Sequence, residues 1–416
     1  MESDIKNCIT AISKVVTEDG ITVLFQPVVS LLSRSVIGFE AFARGVDEKG
    51  ETIAPPGCLF NSSLPIQAQL KVEELCLKKS LESYKPLYEK YSDMLLYLNI
   101  NCGVYCRAED KGRGPHQLAE LYKYSPRMIV FEMDAVQLIE NPPLEMIRGV
   151  REKGYRLCVD NVLPSFDCID RLHIIKPDFV KIDRKFYGGI EKSKRIKKKL
   201  ASIATLFSLC GVLPVAKGVE TELEAVSLMQ SGFYMQQGYF YSDSAEADGK
   251  EDSFADKISR ISKFVKGEKR DKSAQSSENF KNSHILLKST ITSLQQGGDE
   301  DMNRILDELV KKNDNVVSVY ILDSSGKQRS KRLAGKAADP FGLRVIPSVV
   351  GSDHSSQDYF IYLNSGLEKA AGERCPDALC NERYNYLAGF YYKEGSRRGK
   401  ILVLEYVNSS QEEAKD

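Results

Sequence analysis

The sequence predicts an α/β protein: a TIM-like βα barrel over residues 1–248, a charged helical connector over 249–284, and a small α+β domain over 285–416. Three observations carry this. From Met94 onward, short apolar and β-branched runs alternate with segments of helical periodicity, and about seven or eight such strands in roughly 250 residues is the rhythm of a βα barrel. The runs end in polar residues: Tyr155–Val159 closes on Asp160, and the run from Phe179 to Ile182 carries Lys181 and stops at Asp183. At about Ala245 the composition turns to Ala, Glu, Asp, Gly and Lys, which marks a solvated connector. An open doubly wound sheet is the alternative, weakened because no Gly-rich nucleotide loop follows the first strand.

In chain order, residues 3–17 predict an amphipathic helix. Ile21–Ser30 and Val36–Arg44 predict a hairpin about a turn-like Leu-Ser-Arg-Ser. Ile66, Leu70, Val72, Leu75, Leu77 and Leu81 place a helix over 64–84, and Met94–Ile100 reads as the next strand. The alternation then runs helix near His116–Tyr124, strand Met128–Met133, helix 144–153, strand 155–159, a crossover helix, strand 178–182, helix 195–209, strand Val212–Ala216, helix 221–230 and a last segment Gln237–Ser242. The connector predicts helix, break and long helix, the last carried by apolar spacing from Ile285 through Leu309. Val316–Asp323, Tyr359–Leu363, Tyr386–Tyr392 and Ile401–Val407 read as strands behind it, the last two joined around Gly395–Gly399.

Lys+Arg and Asp+Glu both total 58, so no net field favours nucleic acid or an anionic membrane. The N-terminus lacks a basic region followed by an apolar core, and no run of about 18 apolar residues occurs, so a cytoplasmic protein without membrane insertion is expected. Cys8, Cys76, Cys158 and Cys210 sit singly in apolar segments, the pattern of reduced core cysteines. Cys102 with Cys106 and Cys375 with Cys380 are the closest pairs, and neither has a histidine beside it to build a zinc site. With four scattered histidines an imidazole centre is hard to assemble, so any metal is expected on oxygen, favouring Mg²⁺ or Mn²⁺.

Successive strands carry Glu40, Asn99, Glu132, Asp160 and Lys181, which should face one another across a barrel mouth. The first four make a plausible all-oxygen cage for a hard divalent cation. Gln26 and Arg44 lie near the same rim, where a guanidinium can grip phosphate and an amide can read a base edge.

These residues carry a resemblance. Phe25-Gln26-Pro27, Gly38-Phe39-Glu40-Ala41-Phe42-Ala43-Arg44, Leu98-Asn99, Val130-Phe131-Glu132, Val159-Asp160-Asn161, Lys181-Ile182-Asp183-Arg184, Ala216-Lys217-Gly218-Val219-Glu220-Thr221 and Gln237-Gly238-Tyr239 resemble, over about 20–245, the EAL-domain family of cyclic di-GMP phosphodiesterases. The resemblance implies a βα barrel in which two divalent metals activate a water that cuts one phosphodiester to give pGpG. It implies that Glu40, Asn99, Glu132 and Asp160 hold the first metal and that Lys181 orients the water. It further implies that Glu220 supports the site, that Arg44 meets phosphate, and that Gln26, Asp183 and Gln237 lie on the ligand side.

The departures fall on one side of that site. The family has Asp-Asp where this chain has Asp160-Asn161, and Glu where it has Lys217. Those two changes remove about three units of negative charge, which a second cation would need. One metal site is therefore expected and the second is not. Lys217 is expected either as a fixed cation in the pocket or as a solvated side chain paired with a neighbouring Glu. The signature reads Glu-Ala-Phe rather than Glu-Ala-Leu, Ala135 replaces a second Glu, and the loop Val162–Phe166 has lost the family's glycines.

The C-terminal piece resembles, more distantly, PAS- or Cache-like sensor domains, through the strand Val317–Asp323 with its Ser-Ser-Gly turn and through Gln357-Asp358-Tyr359-Phe360. Barrel, long helix and sensor in that order resemble the YkuI-type arrangement within the EAL family. Tyr386, Tyr391 and Tyr392 are candidates for lining a ligand pocket, against the alternative that they are core. The readings carried forward are a cyclic di-GMP receptor with little or no hydrolysis that signals to a downstream protein, an active phosphodiesterase, and a dimeric scaffold without ligand. A homodimer through the barrel and the 285–313 helix is expected.

Overall fold

A computed structural model describes the chain apart from residues 1, 92, 108–113, 141–142, 164–165, 243–251, 299, 338–348, 375–383, 393–398 and 408–416. Two compact units are present, Met1–Gly267 and Glu268–Asp416.

The first unit opens with α1 (Glu2–Thr17), the hairpin β1 (Ile21–Ser30) and β2 (Ser35–Val46), and the short β3 (Thr52–Ala54). α2 (Pro56–Leu59) and α3 (Ile66–Lys90) lead to β4 (Leu95–Asn99), then α4 (Cys102–Arg107) and α5 (Pro115–Glu120) to β5 (Ile129–Asp134). α6 (Ala135–Glu140) and α7 (Leu144–Glu152) precede β6 (Arg156–Asp160), and α8 (Phe166–Ile175) crosses to β7 (Phe179–Asp183). α9 (Arg184–Tyr187), α10 (Lys194–Leu209), β8 (Leu213–Lys217), α11 (Glu222–Gln230) and β9 (Met235–Gln237) complete the ring. The strand order β1-β9-β8-β7-β6-β5-β4-β2, with β1 paired back to β2, closes an eight-stranded barrel, and β3 hangs on the edge of β2. β1 runs antiparallel to both neighbours; the remaining barrel pairs are parallel.

Side chains alternate across a strand with a period of two, so one residue in two enters the lumen. Val28, Tyr97, Val130, Cys158, Phe179, Val215 and Met235 form an apolar plug inside the barrel. Outside it, Leu70, Leu77 and Leu81 of α3 pack with Leu96 and Leu98 of β4 and Phe131 of β5, all buried. Each such side chain contributes about 1.5–3 kcal/mol on leaving water.

α12 (Asp252–Gln296) is one continuous helix of 45 residues. The break expected inside the connector does not occur, because Lys, Glu, Arg, Ala, Ser and Gln all sustain a helix and Gly267 alone does not stop it. The chain breaks later, at Gly297-Gly298, before α13 (Met302–Lys312). Ile258, Ile261 and Val265 of α12 join the first unit's core, and Ser262 Oγ donates to the Leu31 carbonyl at 3.1 Å.

In the second unit, Leu287 and Leu294 of α12 and Leu306 and Leu309 of α13 bury against one face of an antiparallel sheet. Its strands are β10 (Val316–Leu322), β11 (Leu333–Ala334), β12 (Lys369–Arg374), β13 (Tyr384–Tyr391) and β14 (Lys400–Tyr406), in the order β11-β10-β14-β13-β12. The expected strand Tyr359–Leu363 is instead a helix, α14 (Asp358–Asn364), because Tyr359, Phe360 and Leu363 bury together at helical spacing. Tyr386 lies in the cluster on one sheet face and Tyr391 in the cluster on the other, while Tyr392 is exposed, so the three tyrosines share no pocket. On the Tyr386 face, Arg332 pairs with the buried Glu405, and its Nε donates to Ser318 Oγ at 2.8 Å.

Two cysteine expectations are corrected. Cys8 is paired with Cys58 in a disulfide that ties α1 to α2, and Cys210 is exposed just after α10. Cys76 and Cys158 are buried free thiols, as read. Cys375 and Cys380, and the joint at Gly395, lie outside the described residues, as does part of the Val162–Phe166 loop.

Candidate functional site

The ring above the apolar plug is polar all the way round. Moving two residues along each strand from the plug gives Gln26, Asn99, Glu132, Asp160, Lys181, Lys217 and Gln237, and Glu40 of β2 completes the layer. Each of the eight barrel strands contributes one member. Register supports the grouping: Gln26 pairs with Glu40, Asn99 with Glu132, and Lys217 with Gln237.

Lys181 is the hub. Its Nζ stands 2.5 Å from Glu40 Oε2 and 2.5 Å from Glu132 Oε2, with all three side chains wholly buried, and 4.9 Å from the centre of the Tyr97 ring below. Asn99 Nδ2 donates to Glu40 Oε1 at 2.9 Å, and Gln237 Nε2 donates to Glu40 Oε2 at 2.8 Å and to Gln26 Oε1 at 3.1 Å. Burial alone would raise the Glu40 carboxyl, but Lys181 and then Lys217 outweigh it and hold the group at about 2. Burial, reinforced by the Glu40 charge, pushes Glu132 up to about 8 against the pull of Lys181. Burial opposes the charge on Lys181 and Lys217, yet the facing carboxylates raise both ammonium groups above the ordinary lysine range.

Lys217 points into the ring, not to solvent. Its Nζ lies 2.6 Å from Asp160 Oδ2 and 4.0 Å from Glu132 Oε1. Beside it Asn161 has φ +55°, the left-handed region that Asn tolerates, and its Nδ2 donates to Asp134 Oδ2 at 2.9 Å. Above the ring opens a cavity of about 560 Å³, lined among others by Arg44, Phe60, Glu73, Asn99, Glu132, Asp160 and Lys217. Arg44 Nη1 donates to the carbonyl of Ala43 at 2.9 Å.

The structure brings Glu40, Arg44, Asn99, Glu132, Asp160, Asn161 and Lys217 to this cavity and sets Lys181, Gln26 and Gln237 in the network beneath its wall. Asp183 and Glu220 do not line it. Asp183 caps α9 by accepting from the Lys185 amide at 2.8 Å, and Glu220 is 2.6 Å from Arg184 Nη1 near the surface. Thr221 serves a helix cap: with Glu224 it forms a capping box on α11, and Glu224 also binds Arg184. Gly238 follows Gln237 because a Cβ there would come within 2.2 Å of the Val219 backbone.

Sequence reasoning missed Glu73 and Asp134. Glu73, buried on α3 with its carboxyl pushed by burial to about 7, accepts from the Asn101 amide at 3.3 Å and lines the cavity. The signal was a carboxylate on the apolar face between Val72 and Cys76. Asp134 is simply the next inward position after Glu132.

The metal question turns on the same oxygens. Glu132 Oε1 and Asp160 Oδ1 are buried and accept no hydrogen bond, which suits a hard cation. Among the described residues, however, no group of three acidic, histidine or cysteine side chains is spaced as a metal centre; Lys181 pairs with Glu40 and Glu132, and Lys217 with Asp160.

Among solved structures, the chain superimposes on that of the Bacillus subtilis YkuI protein with an EAL domain, in complex with substrate c-di-GMP and calcium. The TM-score is 0.75 over 96% of this chain and 99% of that one, at 16% identity. In sequence it is 21% identical over 325 residues to the uncharacterized EAL-domain containing protein YkuI of B. subtilis strain 168, covering 74% of this chain and 76% of YkuI. It is 25% identical over 227 residues to the probable cyclic di-GMP phosphodiesterase PdeB of Escherichia coli K12, covering 53% of this chain and only 42% of PdeB. Residues 10–244 match the family model described as EAL domain, and that span takes in the barrel strands and the whole polar ring. The chain therefore belongs to the EAL-domain family.

Proposed function

We propose that this chain is a cyclic di-GMP receptor that hydrolyses its ligand slowly or not at all. The observation that carries this is the place of Lys217: an ammonium 2.6 Å from Asp160, where the family resemblance calls for a carboxylate. With Asn161 neutral beside it, the cavity keeps cationic groups to meet phosphate, Arg44 and Lys217, and lacks the negative charge that would hold a second cation. A single divalent cation would be held by Glu40, Asn99, Glu132 and Asp160 once the Lys217 ammonium leaves Asp160, and would there supply Lewis-acid chemistry toward a phosphodiester oxygen. Lys181, fixed between Glu40 and Glu132, orients whatever approaches but cannot accept a proton while it remains an ammonium.

Gln237 serves this reading by donating to Glu40, Gln26 by accepting from Gln237, and Arg44 supplies the direct phosphate contact. The second unit fits a PAS- or Cache-like sensor, with a five-stranded antiparallel sheet and helices buried on it. No described helix is long and apolar enough to cross a membrane, and a cytoplasmic homodimer signalling to a protein partner is part of the proposal. Its mass by light scattering at tens of micromolar should be twice that of the chain. Calorimetry with cyclic di-GMP, paired with a product assay for pGpG, tests the whole: heat of binding with no product is expected. The second reading, an active phosphodiesterase, is favoured by the intact first-metal donors and would be upheld by steady pGpG release.

A further inference from the structure

We propose that Lys217 and a divalent cation are alternative occupants of one carboxylate pair, Asp160 and Glu132. The ammonium serves as a resident counter-cation, and a metal enters only when that side chain swings out. The consequence for ligand binding, that the cavity takes a phosphodiester without metal, rests on the receptor reading above; the competition itself does not.

The geometry is specific. Lys217 Nζ is 2.6 Å from Asp160 Oδ2 and 4.0 Å from Glu132 Oε1. A divalent ion on the same carboxylates needs oxygens at about 2.0–2.6 Å, and two cations that share one buried carboxylate pair repel each other strongly in so poorly solvated a place, so each disfavours the other. The pair still has capacity to accept, because Asp160 Oδ1 and Glu132 Oε1 are buried without a hydrogen bond. Lys217 is also built to be the occupant that moves. Its backbone is locked in β8, with register to Asp183 and Gln237 on either side, and its carbonyl accepts from the wholly buried Tyr187 hydroxyl at 2.9 Å. Its side chain is 24% exposed toward the cavity, and a four-carbon stem can carry the ammonium outward. Lys181 has no such exit: it shows no exposed surface and is held from two sides. One ammonium of the ring is thus a fixture and the other a movable plug.

The first arm of the test uses Mn²⁺ alone, titrated into the full chain and read by the spin-resonance signal of the free ion. Lys217→Ala and Lys217→Gln should bind Mn²⁺ at least tenfold more tightly than wild type, and Lys217→Arg, which keeps the charge, should stay as weak as wild type. Circular dichroism identifies a variant that fails to fold, and either neutral variant suffices. Equal Mn²⁺ affinities for wild type and a folded neutral variant would overturn the proposal, as would tight binding by wild type. The second arm measures cyclic di-GMP binding by calorimetry in EDTA and in Mn²⁺. Wild type should bind alike in both, within about twofold, whereas Lys217→Gln should lose about tenfold in EDTA and recover in Mn²⁺. Wild-type binding that requires Mn²⁺ would overturn the metal-free consequence. No nucleotide binding under any condition would overturn the receptor reading, and the Mn²⁺ arm would still decide the competition.

Discussion

Lys181 Nζ and Glu40 Oε2 lie 2.5 Å apart, with neither side chain exposing any surface. A buried pair of this kind adds little over a well-packed apolar pair, but breaking it strands a charge in the barrel. Lys181→Met should therefore lower unfolding stability by about 3–5 kcal/mol, read by urea denaturation. A loss below about 1 kcal/mol would mean that water reaches Glu40 once the ammonium is gone.

Glu132 sets a pH dependence. Its folded carboxyl is raised from 4.5 to about 8, so between those values the folded chain holds a proton that the unfolded chain has lost. Its stabilising contribution is complete below about pH 4.5 and drains away as pH climbs through 8, at up to about 1.4 kcal/mol per pH unit. Melting curves from pH 5 to 8 should show wild type losing stability relative to Glu132→Gln, which carries no titrating group. Parallel curves would show that Glu132 ionises normally.

Arg44 lines the cavity beside Glu40 and is the guanidinium placed to take a phosphate. Losing one charge-assisted contact costs about 1.5–3 kcal/mol, so Arg44→Ala should weaken cyclic di-GMP binding at least roughly tenfold by calorimetry. Unchanged affinity would assign the phosphate to Lys217 instead.

Catalysis gives the fourth expectation. Asn161→Asp with Lys217→Glu should restore the charge of the second cation's side and raise pGpG formation by orders of magnitude, whereas either change alone should do little. Wild-type turnover of about 1 s⁻¹ or faster would refute the slow-hydrolysis reading outright.

Much of this was legible in the sequence because a barrel strand writes its layers into alternate letters. Val215 in the plug and Lys217 in the ring share a side of β8, as do Val130 and Glu132 on β5; the strands alone gave Glu40, Asn99, Glu132, Asp160 and Lys181, while Gln237 and Lys217 came from the resemblance and the direction of Lys217 stayed open. What stayed hidden depends on contacts that no local pattern records. The disulfide joins cysteines 50 residues apart. Asp358–Asn364 has the aromatic and β-branched letters of a strand, and the joint burial of Tyr359, Phe360 and Leu363 is what makes it helical. Glu220 and Asp183 sit within matching motifs yet serve an ion pair and a helix cap, since a motif fixes a residue's neighbours along the chain and not the direction of its side chain.

The backbone at Asn161 narrows what natural variation can do with this protein. A φ of +55° favours glycine, asparagine and aspartate, and of these only asparagine can donate to Asp134, since an aspartate would set a second carboxylate against it. Asparagine and aspartate are isosteric here and differ by one proton-bearing nitrogen against one oxygen. A change from one to the other shifts the charge of the site by a full unit without altering the size of the side chain. A barrel with the opposite residue is one substitution away at this position, so receptor and hydrolase forms stand close in sequence space, separated further by Lys217, by Ala135 and by the Val162–Phe166 loop.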